Sequence, residues 1–362
     1  MTRARQNANI SPAVGRNMVI NGAMNVAQRA TSVTGIGAAD GYFTCDRWDI
    51  DVADASAGRL TMSQTADGPN GVSANCIKLD CTTADTSIAA GERLMLQMQF
   101  EGQNLQRIGK GVVGAKQITL SFYVKANAAF TFAAELFDND NSRQITKLYD
   151  TTTGWVRHEL TFPADVDDGS SPFDDDNASS LYLIFWLHAG TTYTGGTLNT
   201  ASWANNTNAN RAAGIDSFYS STDNNFFITG VQMEVGPVAT EFEQEDISTT
   251  LAKCQRYFQV QRSSDYDDNE AVATGVGWSS GLVYCHFKYP AGATMRARPT
   301  CTLSGDFLVL EGGTSSDSTE NTVQGVSYSS AEIRFKNSIV ALNSACWVRY
   351  KSGSSITLEA EL

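Results

Sequence analysis

The stretch Gln117-Ile118-Thr119-Leu120-Ser121-Phe122-Tyr123-Val124-Lys125 decides how this chain reads. Ile118, Leu120, Phe122 and Val124 fall on one side of an extended chain, while Thr119, Ser121, Tyr123 and Lys125 fall on the other. Side chains of a strand alternate between two faces, so one face suits a core and the other suits water. The same period returns at 47–52, 59–64, 76–82, 94–100, 130–137, 155–162 and 226–235. Residues 181–188 are apolar on both faces, which predicts a strand lying centrally in a packed sheet. Gly, Asn and Asp turns separate these runs, and such spacing predicts an all-β sandwich over residues 17–246.

Residues 247–258 break the pattern. Ser248 can cap a helix there, and Leu251, Cys254, Gln255 and Phe258 repeat at helical spacing. Strand-like runs resume afterwards and predict a smaller C-terminal β domain over 259–362. Before the sandwich, residues 1–16 form a polar arm carrying Arg3, Arg5 and Arg16 and no acid.

Composition agrees with this division. Among 362 residues, 42% are hydrophobic, 18% are charged and 30 are glycine, which excludes global disorder and disfavours helical bundles. The net charge is −13; residues 1–246 hold 16 basic and 28 acidic side chains, and residues 247–362 hold 10 and 11. An acidic body repels phosphate backbones, which argues against nucleic-acid binding. No apolar run reaches the ~18 residues of a membrane span, so membrane insertion is not expected. The first residues lack the apolar core of a secretory signal. Seven cysteines, none at C-x-x-C spacing, predict free thiols rather than a disulfide framework, and with three histidines they give no support to a zinc site.

Little in the sequence points to catalysis. His158, His188 and His286 sit in or beside strands, and no nucleophile elbow, zinc motif or phosphate loop is present. We assign no catalytic residue and no metal ligand. The acidic loop 165–176 reads as a solvated turn, with a bound calcium ion as its alternative, although it does not follow the EF-hand spacing. The long polar loop 190–225 holds Tyr193, Trp203 and Tyr219, the candidate ligand-binding residues. An exposed aromatic face pairs with the C–H side of a pyranose while nearby Asn and Thr supply hydrogen bonds. The alternative for Trp203 is that it folds back onto its own sandwich as an anchor.

Several stretches resemble the tail-fibre and receptor-binding proteins of tailed bacteriophages. They are Gly15-Arg16-Asn17-Met18-Val19-Ile20-Asn21-Gly22-Ala23-Met24 with Gln28-Arg29, Asp46-Arg47-Trp48, Leu120-Ser121-Phe122-Tyr123-Val124-Lys125-Ala126, and Phe227 to Gly236 with Ala239-Thr240-Glu241-Phe242-Glu243. Cys254-Gln255-Arg256-Tyr257-Phe258 and Met295-Arg296-Ala297-Arg298-Pro299-Thr300 continue the likeness. The resemblance implies a jelly-roll β-sandwich similar to carbohydrate-binding modules, with Met18, Trp48, Phe122, Trp155 and Phe242 in its core. It implies a virion protein displayed on the outer surface of the particle, on the tail, after assembly in the host cytoplasm, and often a homotrimer. Its partners would be other virion proteins, met through Arg3, Arg5 and Arg16, and a host surface receptor, a glycan. Two other roles follow from the same setting. One is a structural capsid fibre, decoration or tail-tip protein. The other is a polysaccharide depolymerase, which commonly uses repeated parallel β-helices that this chain lacks.

Overall fold

The computed structural model describes residues 15–53, 56–166, 171–265, 271–289 and 294–362. The chain forms two compact units, the first ending at Glu245 and the second running from Asp246 to Leu362. Arg3 and Arg5 of the expected basic arm lie outside the described residues.

The first unit is a jelly-roll sandwich of two antiparallel sheets, with strands numbered along the chain. One sheet has the order β1 (Ser32–Ile36), β4 (Arg59–Thr65), β5 (Cys76–Thr83), β13 (Asn225–Val235), β7 (Ile118–Ala126), β10 (Val156–Phe162). The other has the order β12 (Ala204–Asn205), β9 (Arg143–Asp150), β8 (Thr131–Asp138), β11 (Ser179–Ala189), β6 (Arg93–Glu101), β3 (Asp49–Ala53), β2 (Gly41–Tyr42). The chain crosses repeatedly from one sheet to the other, so strands adjacent in space are often distant in sequence.

The core lies between the sheets. Phe122 meets Phe185 at 5.1 Å and Tyr149 at 5.0 Å, both edge to face, and Trp48 lies 6.2 Å from Phe185. Met18, Trp48 and Phe122 are buried there, as the resemblance implies. Trp155 and Phe242 are not core residues, because both are half-buried. Trp155 stands on the outer face of the six-stranded sheet, for a reason given below.

The opening motif works as a set of pins. Asn17 Oδ1 accepts from the backbone N–H groups of Val19 and Met233, and Glu243 accepts from those of Gly15 and Asn17. Asn21, at φ 58°, donates to the carbonyls of Val26 and Asp46, and its own carbonyl accepts from Trp48 Nε1. A Cβ on Gly22 would stand 2.1 Å from the Val231 carbonyl oxygen, so only glycine lets this turn seat against β13. The residues that carry the family resemblance thus satisfy buried backbone groups.

The second unit opens with a helix, Ile247–Gln255, three residues shorter than the periodicity predicts. Asp246, not Ser248, is the N-cap; its carboxylate accepts from Ser248 N at 2.9 Å. Phe258 leaves the helix because it begins a strand and pairs with Glu359. A three-stranded sheet follows the order β14 (Phe258–Arg262), β23 (Ser355–Glu359), β17 (Thr300–Ser304). A seven-stranded sheet follows β19 (Thr314–Asp317), β18 (Phe307–Glu311), β22 (Ala345–Tyr350), β15 (Ala271–Ser279), β16 (Leu282–Lys288), β21 (Ser330–Lys336), β20 (Glu320–Val326). Phe307, Phe335, Val348 and Ile356 are among the residues of its core. No disulfide joins the seven cysteines, six of which are buried.

Candidate functional site

The three aromatic residues expected to receive a sugar do not offer ring faces to water. Tyr193 is 8% exposed, Trp203 4% and Tyr219 1%. Loop 190–225 folds back over the outer face of the seven-stranded sheet. There Tyr193, Ala212 and Ile215 cover Met95, Ile184 and Trp186, the apolar outer residues of β6 and β11. This explains why 181–188 is apolar on both sides: the core takes one face and the loop takes the other. Trp203 is the anchor of the alternative reading, with Nε1 donating to the Pro163 carbonyl at 2.9 Å. Arg93 donates to the Tyr193 hydroxyl at 2.8 Å, and Tyr219 packs edge-on against His188 at 5.2 Å. Burial of those aromatic surfaces outweighs what display in water would give.

In the acidic loop, the carboxylates of Asp165 and Asp176 have partners within the fold. Arg143 binds both Asp165 oxygens at 2.8 Å, and Lys110 lies 2.6 Å from Asp138 and 3.7 Å from Asp165. Asp140 accepts from Asp174 N, and Asp176 accepts from Ala178 N, as turn carboxylates do. Asp167 and Asp168 lie outside the described residues. Among the described residues no group of three His, Cys, Asp or Glu side chains could hold a metal ion, and Asp165 faces the two cations Arg143 and Lys110. Arg16 contacts its own chain, donating to the Glu241 carbonyl at 2.9 Å. His158 bonds the Asp150 carbonyl at 2.7 Å, and His188 Nδ1 lies 2.7 Å from Ser217 Oγ. Burial holds the His188 imidazole below its usual range against the pull of Glu92 and Asp85.

A different surface gathers the features a sugar site needs. Register places Lys78 of β5 beside Phe227 of β13, and Phe227 beside Lys125 of β7. Val156 pairs with Val124, so Trp155, just before β10, extends this row across a fourth strand. Lys78 Nζ lies 5.5 Å from the Phe227 ring centre, while Lys125 Nζ lies 4.6 Å from Phe227 and 5.1 Å from Trp155. The two rings are 6.3 Å apart and nearly perpendicular. Neighbouring strands are ~4.8 Å apart, so the row spans about 14 Å. One row further, Arg157 lies 5.9 Å from the Tyr123 ring and donates to the Thr240 carbonyl.

Asp67 locks this row to a loop. Its carboxylate takes Lys125 at 2.7 Å, and its carbonyl accepts from Trp155 Nε1 at 3.0 Å. That bond holds Trp155 outside, where its indole N–H has a partner in the Asp67 loop. Beside the row, Gly68, Asn70, Val72, Ser73 and Gln244 line a cleft of about 550 Å³. Gly230, at φ 59°, lets the loop close on the sheet; a Cβ there would stand 2.7 Å from Val72 and 2.9 Å from the Tyr123 ring. Half-buried rings interleaved with charged and amide side chains can stack on a pyranose and bond its hydroxyls. The sequence carried a signal for this: Tyr123, Trp155 and Phe227 occupy outward positions of alternating strands, where small polar residues ordinarily suffice.

No protein family matches the chain, and no curated protein matches it. Among solved structures it is similar to a CBM4 structure, at 10% identity and TM-score 0.29 over 59% of this chain and 97% of that one. It is similar to the enzymatically active domain of tailspike protein 4 from bacteriophage CBA120, at 12% identity and TM-score 0.31 over 61% of this chain and 21% of that one. A third is the family 11 carbohydrate-binding module from Clostridium thermocellum in complex with a β-1,3-1,4-mixed-linked tetrasaccharide, at 11% identity and TM-score 0.27 over 58% and 99%. These scores are too low to transfer a ligand or an activity to this chain.

Proposed function

We propose that this chain is a subunit of a bacteriophage tail fibre or related virion adhesin that holds a host-surface glycan during adsorption. The observation that carries the reading is the row Lys78, Phe227, Lys125 and Trp155 on the outer face of the six-stranded sheet, beside an open cleft. The motif resemblance supplies the virion setting. We read the chain as binding without cleaving: no catalytic residue is assigned, and Asp165 of the acidic loop is held by Arg143. A homotrimer would multiply weak sugar contacts by avidity. Attachment to other virion proteins falls to the arm, through Arg3 and Arg5, since Arg16 is engaged with its own chain.

A Lys125→Ala/Trp155→Ala double variant tests the reading on a glycan array and on host cells. The expected result is a folded oligomer whose glycan binding and whose particles' adsorption fall at least tenfold. Unchanged adsorption with that variant would transfer the protein to particle architecture. Sugar cleavage by the wild-type chain would transfer it to the depolymerases.

A further inference from the structure

The outer face of the seven-stranded sheet in the second unit holds an aromatic pair beside a cationic cleft. Trp278 is 72% exposed, although a tryptophan this open on a strand costs hydration free energy that a polar residue would not. Its ring centre lies 5.9 Å from that of Tyr284 on the neighbouring strand, at 57° between planes. Tyr284 pairs with Arg334, and Leu282 pairs with Lys336. From Trp278 the chain enters the turn at Ser280 and Gly281, which forms one wall of a cleft of about 430 Å³. Thr319, Glu320, Arg334, Lys336 and Asn337 are among its other lining residues.

Charge distinguishes this cleft from the molecule around it. Arg334 lies 3.2 Å and Lys336 3.8 Å from the one carboxylate of Glu320, so two cations share one anion. Arg334 bonds Glu320 and Thr322 through the same nitrogen, Nη2. In a stretch with 10 basic and 11 acidic side chains over residues 247–362, two cations sharing one carboxylate next to a bare indole ask for an explanation. A guanidinium fork suits a carboxylate, and an indole face suits the C–H side of a sugar ring.

We propose that this cleft binds an acidic sugar, a pyranose bearing a carboxylate. The ring stacks on Trp278 and the carboxylate enters between Arg334 and Lys336. Thr319, exposed at the rim, supplies a hydroxyl for one of its hydroxyls, while Asn337 is buried and holds the wall through the Ser316 and Asp317 carbonyls. The inference rests on the reading above only for the class of ligand, and the two sites lie on different units.

The test titrates the full-length protein with three acidic probes, trigalacturonate, a hyaluronan tetrasaccharide and 3′-sialyllactose, and with the methyl ester of trigalacturonate and inorganic phosphate. At least one acidic probe should bind, its uncharged counterpart at least tenfold more weakly, and phosphate should not compete. Trp278→Ala and Arg334→Gln/Lys336→Gln should each weaken that binding about tenfold or more, while Lys125→Ala/Trp155→Ala leaves it unchanged. Circular dichroism and the melting profile of each variant check that it folds, and Trp278→Phe, which keeps a ring, should recover most of the affinity. No binding of any acidic probe overturns the proposal. So do equal binding of the ester, full competition by phosphate, or a Trp278→Ala variant whose oligomeric state changes while its sugar binding does not. Loss of binding only in Lys125→Ala/Trp155→Ala would overturn this site and leave the first one standing.

Discussion

Lys125 Nζ lies 4.6 Å from the ring centre of Phe227, on the adjacent strand of the six-stranded sheet. The same ammonium lies 5.1 Å from Trp155 and 2.7 Å from Asp67. One cation therefore orders two rings and one loop. The rings are fixed before a ligand arrives, which lowers the entropy lost on binding.

Lys125→Met keeps the length of the side chain and removes its charge. Each cation–π contact is worth about 0.5–1 kcal/mol at a partly exposed site, so the variant should lose about 1–2 kcal/mol of stability. Urea unfolding checks the value. Glycan affinity should fall further than stability predicts, because Trp155 and the Asp67 loop lose their shared partner.

Gly230→Ala should destabilise the sandwich. Its φ of 59° disfavours a Cβ, and the added atom would press on Val72 and the Tyr123 ring. We expect a loss of about 1–3 kcal/mol, read from urea unfolding, with faster amide exchange in residues 66–74. Wild-type exchange rates there would contradict the assigned role of the close approach.

The buried ion network gives a larger effect. Asp165 and its partner Arg143 are nearly inaccessible to water, at 2% and 5% of their side chains. Asp165→Asn strands a buried guanidinium, and breaking such a pair costs about 3–5 kcal/mol. The first unit should melt at a markedly lower temperature. Calcium chloride and a chelator should leave the wild-type melting curve unchanged; a rise with calcium would favour the ion at loop 165–176.

Acid should loosen loop 190–225 through His188. Burial lowers the folded-state pKa of its imidazole, so the unfolded chain binds the proton more readily. Stability from this group is complete above the unfolded value of about 6.5 and is lost as pH falls through the lower folded value. Amide exchange near Ser217 to Ser220, corrected for the intrinsic pH dependence, should therefore be faster at pH 5 than at pH 7. His188→Gln should remove most of that difference.

The thiols should be unreactive in the folded protein and free in the unfolded one. Burial pushes Cys81 and Cys301 up to about 11 and Cys285 up to about 12. Little thiolate forms at neutral pH, and the thiolate is the reactive species. A colorimetric thiol assay should count seven groups in denaturant without reductant and react slowly with native protein. A count of one would reveal three bridges and contradict the structure.

Alternation by itself determined the all-β class and most strand positions, since a period of two has one physical meaning along a half-buried sheet. Trp48, Phe122 and the doubly apolar run at 181–188 were legible for that reason. The helix was legible in position, although its end was not, because Phe258 gains more from pairing with Glu359 than from a further helical turn. What covers each outer face was not written locally. Tyr193, Trp203 and Tyr219 sit in a polar loop, yet all three are buried: Tyr193 lies on an apolar outer sheet face, while Trp203 and Tyr219 join the core between the sheets. Trp155 has the type of a core residue, yet it stays outside because Asp67, 88 positions earlier, supplies its hydrogen bond. Both candidate sites depend on register between strands that are distant in sequence, as do the pairings Phe227 with Lys125 and Tyr284 with Arg334. Periodicity says which way a side chain points; only the folded sheets decide what it meets there.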